Sequence, residues 1–199
     1  IMCTDIAGFT LIASQDESEA LNLLDLHRKL IYPIIQKYNG IVNKELGDGL
    51  LVTFNLTSEA VDCAIQIQKE LINVEKLNLR IGLHEGEISI SQNQDVFGSD
   101  INLTFRIEPF SAIGGVALSN KVQQNISSNS KFETKLIASP KLKGIQYKVD
   151  IYALISNGLP FPKLSSINAK LEPKNYSKTL LASTLGSIVL SIIFILVSS

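Results

Sequence analysis

Cys3-Thr4-Asp5-Ile6-Ala7-Gly8-Phe9-Thr10 is the stretch on which the fold of this chain turns. Apolar residues lead into Asp5, Gly8 opens the backbone, and a long amphipathic segment follows. A carboxylate at a strand end, followed by open backbone N–H groups near a helix start, suits a metal-bound phosphate. Taken alone, an Asp shortly before a Gly is more often a turn residue. The second half of the pattern is Lys44-Glu45-Leu46-Gly47-Asp48-Gly49, set between Ile41-Val42 and Leu50-Leu51-Val52-Thr53-Phe54. A two-strand hairpin there brings Asp48 beside Asp5, and two such carboxylates suit a pair of Mg²⁺ ions around a triphosphate.

The 199 residues suit one domain with appendages, and 45% hydrophobic content supplies a core. A formal charge of −1, with no basic run interleaved with aromatics, excludes nucleic acid as an expected partner. Cys3 and Cys63 match no metal or disulfide spacing and read as buried thiols in a reducing compartment. The chain opens inside a strand without an initiator Met, which reads as a piece of something longer.

Periodicity places a strand over 1–6 and a helix over 16–38. Ala20, Leu23, Leu24, His27, Leu30, Ile31, Ile34, Ile35 and Tyr38 share one face of that helix. Pro33 is expected to bend it and Asn39-Gly40 to end it. The Asp48 hairpin follows, then a second helix capped by Ser58. A strand over 77–83 turns its even residues outward or onto a far face, with 87–91 as its hairpin partner. A third helix runs from Ser99 or Asp100 to Phe110, and 116–118 is a short strand. Ser119 caps a helix to Ile126, and 132–138 with 148–154 close the sheet. The pattern predicts an α+β sandwich, with helices on one face of a mainly antiparallel sheet.

From Asn157 the composition shifts. Gly158, Pro160, Pro162, Ser165, Ser166 and Pro173 mark 157–178 as a juxtamembrane linker. Residues 179–198 carry no charge, and about twenty such residues cross a bilayer. Lys163, Lys170, Lys174 and Lys178 precede this run, so the expectation is a single-pass span in the cell membrane with the preceding domain facing the cytoplasm.

Five blocks, T-D-I-A-G-F-T, K-E-L-G-D-G, L-R-I-G-L-H-E-G, D-V-F-G-S-D-I-N-L-T-F-R-I-E and L-K-G, resemble the class III nucleotide cyclase catalytic domain in order and approximate spacing. The resemblance runs from the first residue to about Leu154, marks residues 1–156 as the catalytic domain and implies a ferredoxin-like core. It also implies adenylate cyclase activity, a phosphorus–oxygen lyase reaction converting ATP to 3′,5′-cyclic AMP and pyrophosphate. By the family pattern, Asp5, Asp48 and the Ile6 carbonyl hold two Mg²⁺ or Mn²⁺ ions. The amides around Gly8, Phe9 and Thr10 cradle phosphate oxygens. Lys44 and Asp95 occupy the purine-reading positions. An ammonium donating to adenine N1 and a carboxylate accepting from its 6-amino group suit adenine, and guanine reverses both edges. Asn102 and Arg106, one helical turn apart, would orient the ribose and stabilise charge at the α-phosphate. Lys143 would grip the triphosphate.

The resemblance further implies a homodimer, with metal carboxylates from one protomer and purine, ribose and α-phosphate contacts from the other. Thr104-Phe105 departs from the small residues usual between that Asn and Arg, and Phe105 must find a pocket or shift the helix. His27 reads as a satisfied core histidine, and His84 receives no chemistry. Two alternatives stay open: a silent cyclase-like domain that binds nucleotide and dimerises, and a guanylate cyclase.

Overall fold

The computed structural model describes residues 1–91, 96–167 and 169–172. In chain order it builds β1 (Met2–Ile6), α1 (Phe9–Gln15), α2 (Glu17–Lys37), β2 (Ile41–Leu46), β3 (Gly49–Thr53), α3 (Thr57–Leu71) and β4 (Leu79–Leu83). Then come β5 (Ser89–Ile90), β6 (Val96–Phe97), α4 (Ser99–Ile107), β7 (Val116–Ser119), α5 (Asn120–Ile126), β8 (Thr134–Ala138) and β9 (Ile151–Leu154).

Seven strands form one sheet in the order β2-β3-β1-β4-β7-β9-β8. The first four strands with α2 and α3 make a β-α-β-β-α-β unit in ferredoxin-like order. β7 joins β4 in parallel and every other pairing is antiparallel.

Alternation along β1 decides what each face carries. Met2 and Ile6 enter the main core with Leu23, Ile31 and Ile35 of α2 and Val61, Ile65 and Ile67 of α3. Cys3 faces the other way and packs with Leu51 and Ile101. Asp5 shares that second face. The helices therefore do not all lie on one side: α4 covers the face opposite α2 and α3. Its period fixed that it was amphipathic, but not which side of the sheet would receive it.

Other local differences have simple causes. A short helix, α1, precedes the long one; Asp16 separates them and caps α2 by accepting from the Glu19 N–H at 2.9 Å. α3 starts at Thr57 after Leu56, without a side-chain cap, so Ser58 lies inside it. β5 pairs with β6 in a separate two-stranded sheet rather than with β4. Ser119 does cap α5, accepting from the Val122 N–H. Both cysteines are buried thiols, and burial pushes the Cys63 thiol up to about 12.

The described part of 157–172 packs back on the domain. Leu142 bridges to Leu171, the Lys143 N–H donates to the Lys170 carbonyl, and Ile167 and Ala169 join a cluster with Leu103, Ile107 and Leu142. Among the described residues no helix is long and apolar enough to cross a membrane. The uncharged run 179–198 lies outside them.

Candidate active site

The β2–β3 hairpin turns in two residues, Gly47 and Asp48, with Leu46 opposite Gly49. Gly47 sits at φ +63°, a conformation that suits glycine in so tight a turn. β3 lies against β1 with Cys3 opposite Leu51. Continuing that register sets the turn beside Asp5. A Cβ on Gly49 would stand 2.3 Å from the Thr4 carbonyl oxygen, so only glycine lets the hairpin approach this closely.

The Asp5 and Asp48 carboxyls stand close enough for each to act on the other. Burial raises the Asp5 carboxyl to about 6, and the neighbouring Asp48 charge adds to the rise. Arg80 opposes it. This residue stands opposite Asp5 in the β1–β4 register and its Nη1 donates to Asp5 Oδ2 at 3.4 Å. A third carboxyl closes the group. Glu108, 8% exposed at the end of α4, has an Oε1 with no hydrogen-bond partner. Burial first, then the Asp5 charge, lift it to about 8. Asp5, Arg80, Glu108, Pro109 and Ser166 line one cavity of about 220 Å³.

Two hard carboxylate donors brought this close together are a fit for a divalent cation such as Mg²⁺. Among the described residues no group of three or more His, Cys, Asp or Glu side chains is placed to hold a metal. Asp5 and Asp48 would therefore supply two carboxylates and leave the remaining positions to other oxygens. Next to them Gly8, at φ +81°, turns β1 into α1, and its carbonyl accepts from the Leu11 and Ile12 N–H groups. Phe9 and Thr10 open that helix. The Ile6 side chain is buried in the core.

Lys44 stands opposite Leu51 on β2, exposed, on the face that carries Asp5. The strand beneath it is clamped from the other side. Arg28 Nη2 donates to Glu45 Oε2 at 2.9 Å, and the Tyr32 hydroxyl donates to Glu45 Oε1. Asp95 lies outside the described residues.

α4 buries Ile101, Leu103, Thr104 and Ile107 and leaves Asn102 exposed and Arg106 half-buried. The two polar side chains share its outer face. The Thr104-Phe105 departure is accommodated locally: Thr104 Oγ1 donates to the Asp100 carbonyl at 2.7 Å, and Phe105 packs against the Cys3–Leu51–Ile101 cluster. The first turn of α4 and the turn after Lys143 line a different cavity, of about 260 Å³, through Ser99, Asp100, Leu103 and Gly144–Tyr147. Lys143 itself is exposed, and the Gly144 N–H donates to Glu172 Oε1 at 2.8 Å. The Asp5 cavity and the cavity between the first turn of α4 and the 144–147 turn are separate openings, and neither Asn102 nor Arg106 lines either of them.

Sequence reasoning passed over Arg80 and Glu108. Both sit inside the quoted blocks, and register and burial, rather than local pattern, bring them to Asp5. His27 also differs from expectation. It is 2% exposed, but its Nε2 has no partner, and burial holds the ring down at about 4.

Residues 1–156 match the family described as the adenylate and guanylate cyclase catalytic domain. The chain belongs to that family. "Putative adenylate cyclase 3" of Rhizobium meliloti (strain 1021) is 27% identical over 160 residues, covering 76% of this chain and 27% of that protein. The chain thus spans about a quarter of the length of that curated relative. An adenylate/guanylate cyclase/hydrolase from Silicibacter pomeroyi superposes with a TM-score of 0.71 at 26% identity, covering 81% of this chain and 95% of that one. The catalytic core of a rhodopsin-guanylyl cyclase with converted specificity, in complex with ATPαS, gives 0.66 at 25% identity, with 77% and 92% covered. The cyclase domain accordingly has the fold of that family.

Proposed function

We propose that this cyclase domain is an adenylate cyclase, converting ATP to 3′,5′-cyclic AMP and pyrophosphate at two shared sites of a homodimer. The observation that carries the reading is the strand register, which sets the Gly47-Asp48 turn against the end of β1 and brings the Asp48 carboxyl close to Asp5. In the reaction the ribose 3′-oxygen loses its proton and bonds to the α-phosphorus, while the bond from that phosphorus to the pyrophosphate oxygen breaks. Asp5 and Asp48, with the Ile6 carbonyl, would hold two Mg²⁺ or Mn²⁺ ions. Bound there, these ions lower the charge on the triphosphate and the pKa of the 3′-hydroxyl.

The chain's own groups do the rest. The Lys44 ammonium donates to adenine N1 and Asp95 accepts from the 6-amino group. Asn102 fixes the ribose so that the 3′-oxygen faces the phosphorus. The Arg106 guanidinium donates to the α-phosphate oxygens as charge builds on them. Lys143 and the amides of Gly8, Phe9 and Thr10 hold the outer phosphates. Asn102 and Arg106 line neither the Asp5 cavity nor the cavity at the first turn of α4, which favours a site completed by a second copy. The uncharged residues 179–198, preceded by four lysines, favour a membrane anchor with the cyclase domain on the cytoplasmic face.

Complementation tests the shared site. Asp48→Asn and Arg106→Ala are each inactive as homodimers, because both sites lack one group. Mixed, they form heterodimers with one intact site. Random pairing makes about half of the dimers mixed, so activity returns to roughly a quarter of wild type and falls on dilution. No recovery in verified heterodimers would refute the shared site.

A further inference from the structure

β4 and the loop after it read Arg80-Ile81-Gly82-Leu83-His84-Glu85-Gly86, and both glycines lie under α4. A Cβ on Gly82 would stand 2.7 Å from Glu108 Cα, and one on Gly86 would stand 2.2 Å from Asp100 Oδ2. The two ends of the helix therefore rest on the two positions where β4 and its loop have no side chain. Buried Leu103 and Ile107 hold the helix down. Apolar burial does not by itself fix how far α4 is turned about its axis.

At the Gly86 end a hydrogen-bond chain does. The Val122 N–H donates to Ser119 Oγ at 3.4 Å, and Ser119 Oγ lies 2.8 Å from His84 Nδ1. His84 Nε2 lies 3.3 Å from Asp100 Oδ1, and Asp100 Oδ2 accepts from the Glu87 N–H at 2.8 Å. One tautomer satisfies every member: Ser119 O–H donates to Nδ1, and Nε2–H donates to Asp100. That ring is neutral, the form that burial of His84 favours. The N-cap residue of α4, Gly98, gives no side-chain bond, so the Asp100 carboxylate is what ties the first turn down.

A serine, a histidine and an aspartate in line also describe a nucleophile. Ser119 is fully buried and its oxygen caps α5, so no substrate reaches it. The chain is a brace.

We propose that His84 and Asp100 are positioning residues for Asn102 and Arg106, fixing the rotation of α4 so that those side chains meet the nucleotide held by the other protomer. Asp100 lies two residues before Asn102. His84 lies four residues along β4 from Arg80, roughly 13 Å from the Asp5 pair at the usual strand rise. A lesion at His84 therefore falls on the α4 half of the site and spares the carboxylate half.

This inference rests on the shared-site reading, and the test separates the two. Full-length His84→Ala is measured alone and mixed with Asp48→Asn or with Arg106→Ala. The pair Asp48→Asn with Arg106→Ala serves as the control for the reading itself. His84→Ala alone should lose on the order of tenfold to a hundredfold in kcat with KM for ATP changed far less, as expected for misplaced groups. It should recover roughly a quarter of wild-type activity with Asp48→Asn and nothing with Arg106→Ala. His84→Gln, which keeps a donor toward Asp100, should restore most of the kcat. If His84→Ala does not fold, Asp100→Asn replaces it in the same mixtures. With the control active, recovery against Arg106→Ala, failure against Asp48→Asn, or wild-type kcat would each overturn the proposal. An inactive control would instead refute the shared site.

Discussion

Replacing Asp48 by Asn should make the metal-free domain more stable while abolishing its turnover. Asp5 is raised from 3.8 to about 6 by burial and then by Asp48. At face value that shift corresponds to about 3 kcal/mol. The Asp5 side chain is 39% exposed, so solvent screening cuts the figure to about 1–2 kcal/mol. Asp48 is the second cause, which leaves about 1 kcal/mol for its charge. The fold keeps a proton on Asp5 that the unfolded chain releases between pH 3.8 and about 6. This contribution to stability is present below that window and lost as pH rises through it.

At pH 7.5, in excess chelator, Asp48→Asn should therefore melt about 2–4 °C higher than wild type. Excess Mg²⁺ with a nonhydrolysable ATP analogue should reverse the order, because only the wild-type chain retains both carboxylates to bind the cation. Calorimetry in both conditions, paired with a turnover assay, reads the effect. A variant that is less stable without metal, or equally stabilised by Mg²⁺ and the analogue, would refute the pairing of Asp5 with Asp48 as a cation site.

Gly49→Ala should destabilise the domain by more than about 2 kcal/mol in urea titration, because its Cβ meets the Thr4 backbone oxygen. His27, held at about 4 against 6.5 unfolded, contributes stability that is full above pH 6.5 and lost as pH falls toward 4. The loss is about 3 kcal/mol, and His27→Leu should flatten that acid limb in pH-dependent unfolding. The intact chain should resist extraction from membranes by high salt or alkali, whereas a chain ending at Glu172, which keeps the segment packed on the domain, should be soluble. Intact chain recovered in the soluble fraction without detergent would refute the anchor.

What could be read from the sequence was what short-range pattern controls. The Gly47-Asp48 turn is flanked by apolar runs, so the hairpin followed from local signals, whereas its register beside β1 is set by long-range pairing. Asn102 and Arg106 share a face because helical spacing alone requires it. The Arg80–Asp5 pair spans 75 residues and depends on strand register. Glu108 matters because it is buried, and no motif reports burial. α1 was missed because it is only seven residues long, too short for a helical period to register, and Phe9 and Ile12 are only partly buried against the core. β5 falls within the strand expected over 87–91, but its partner β6 is two residues long, too short for a period to register. His84 showed only its place in a strand-turn pattern. Its partners, Ser119 and Asp100, come from two other elements and could be found only in three dimensions.

The most direct measurement is product identification. The purified chain is supplied with ATP or GTP at equal concentration, with Mg²⁺ or Mn²⁺, and the products are resolved by mass. The account predicts 3′,5′-cyclic AMP and pyrophosphate from ATP, with GTP turned over far more slowly, and loss of both in Asp5→Asn. Cyclic GMP as the main product would contradict the reading of Lys44 and Asp95. Absence of any cyclic product from a folded, dimeric, membrane-embedded chain would contradict the assignment of an adenylate cyclase.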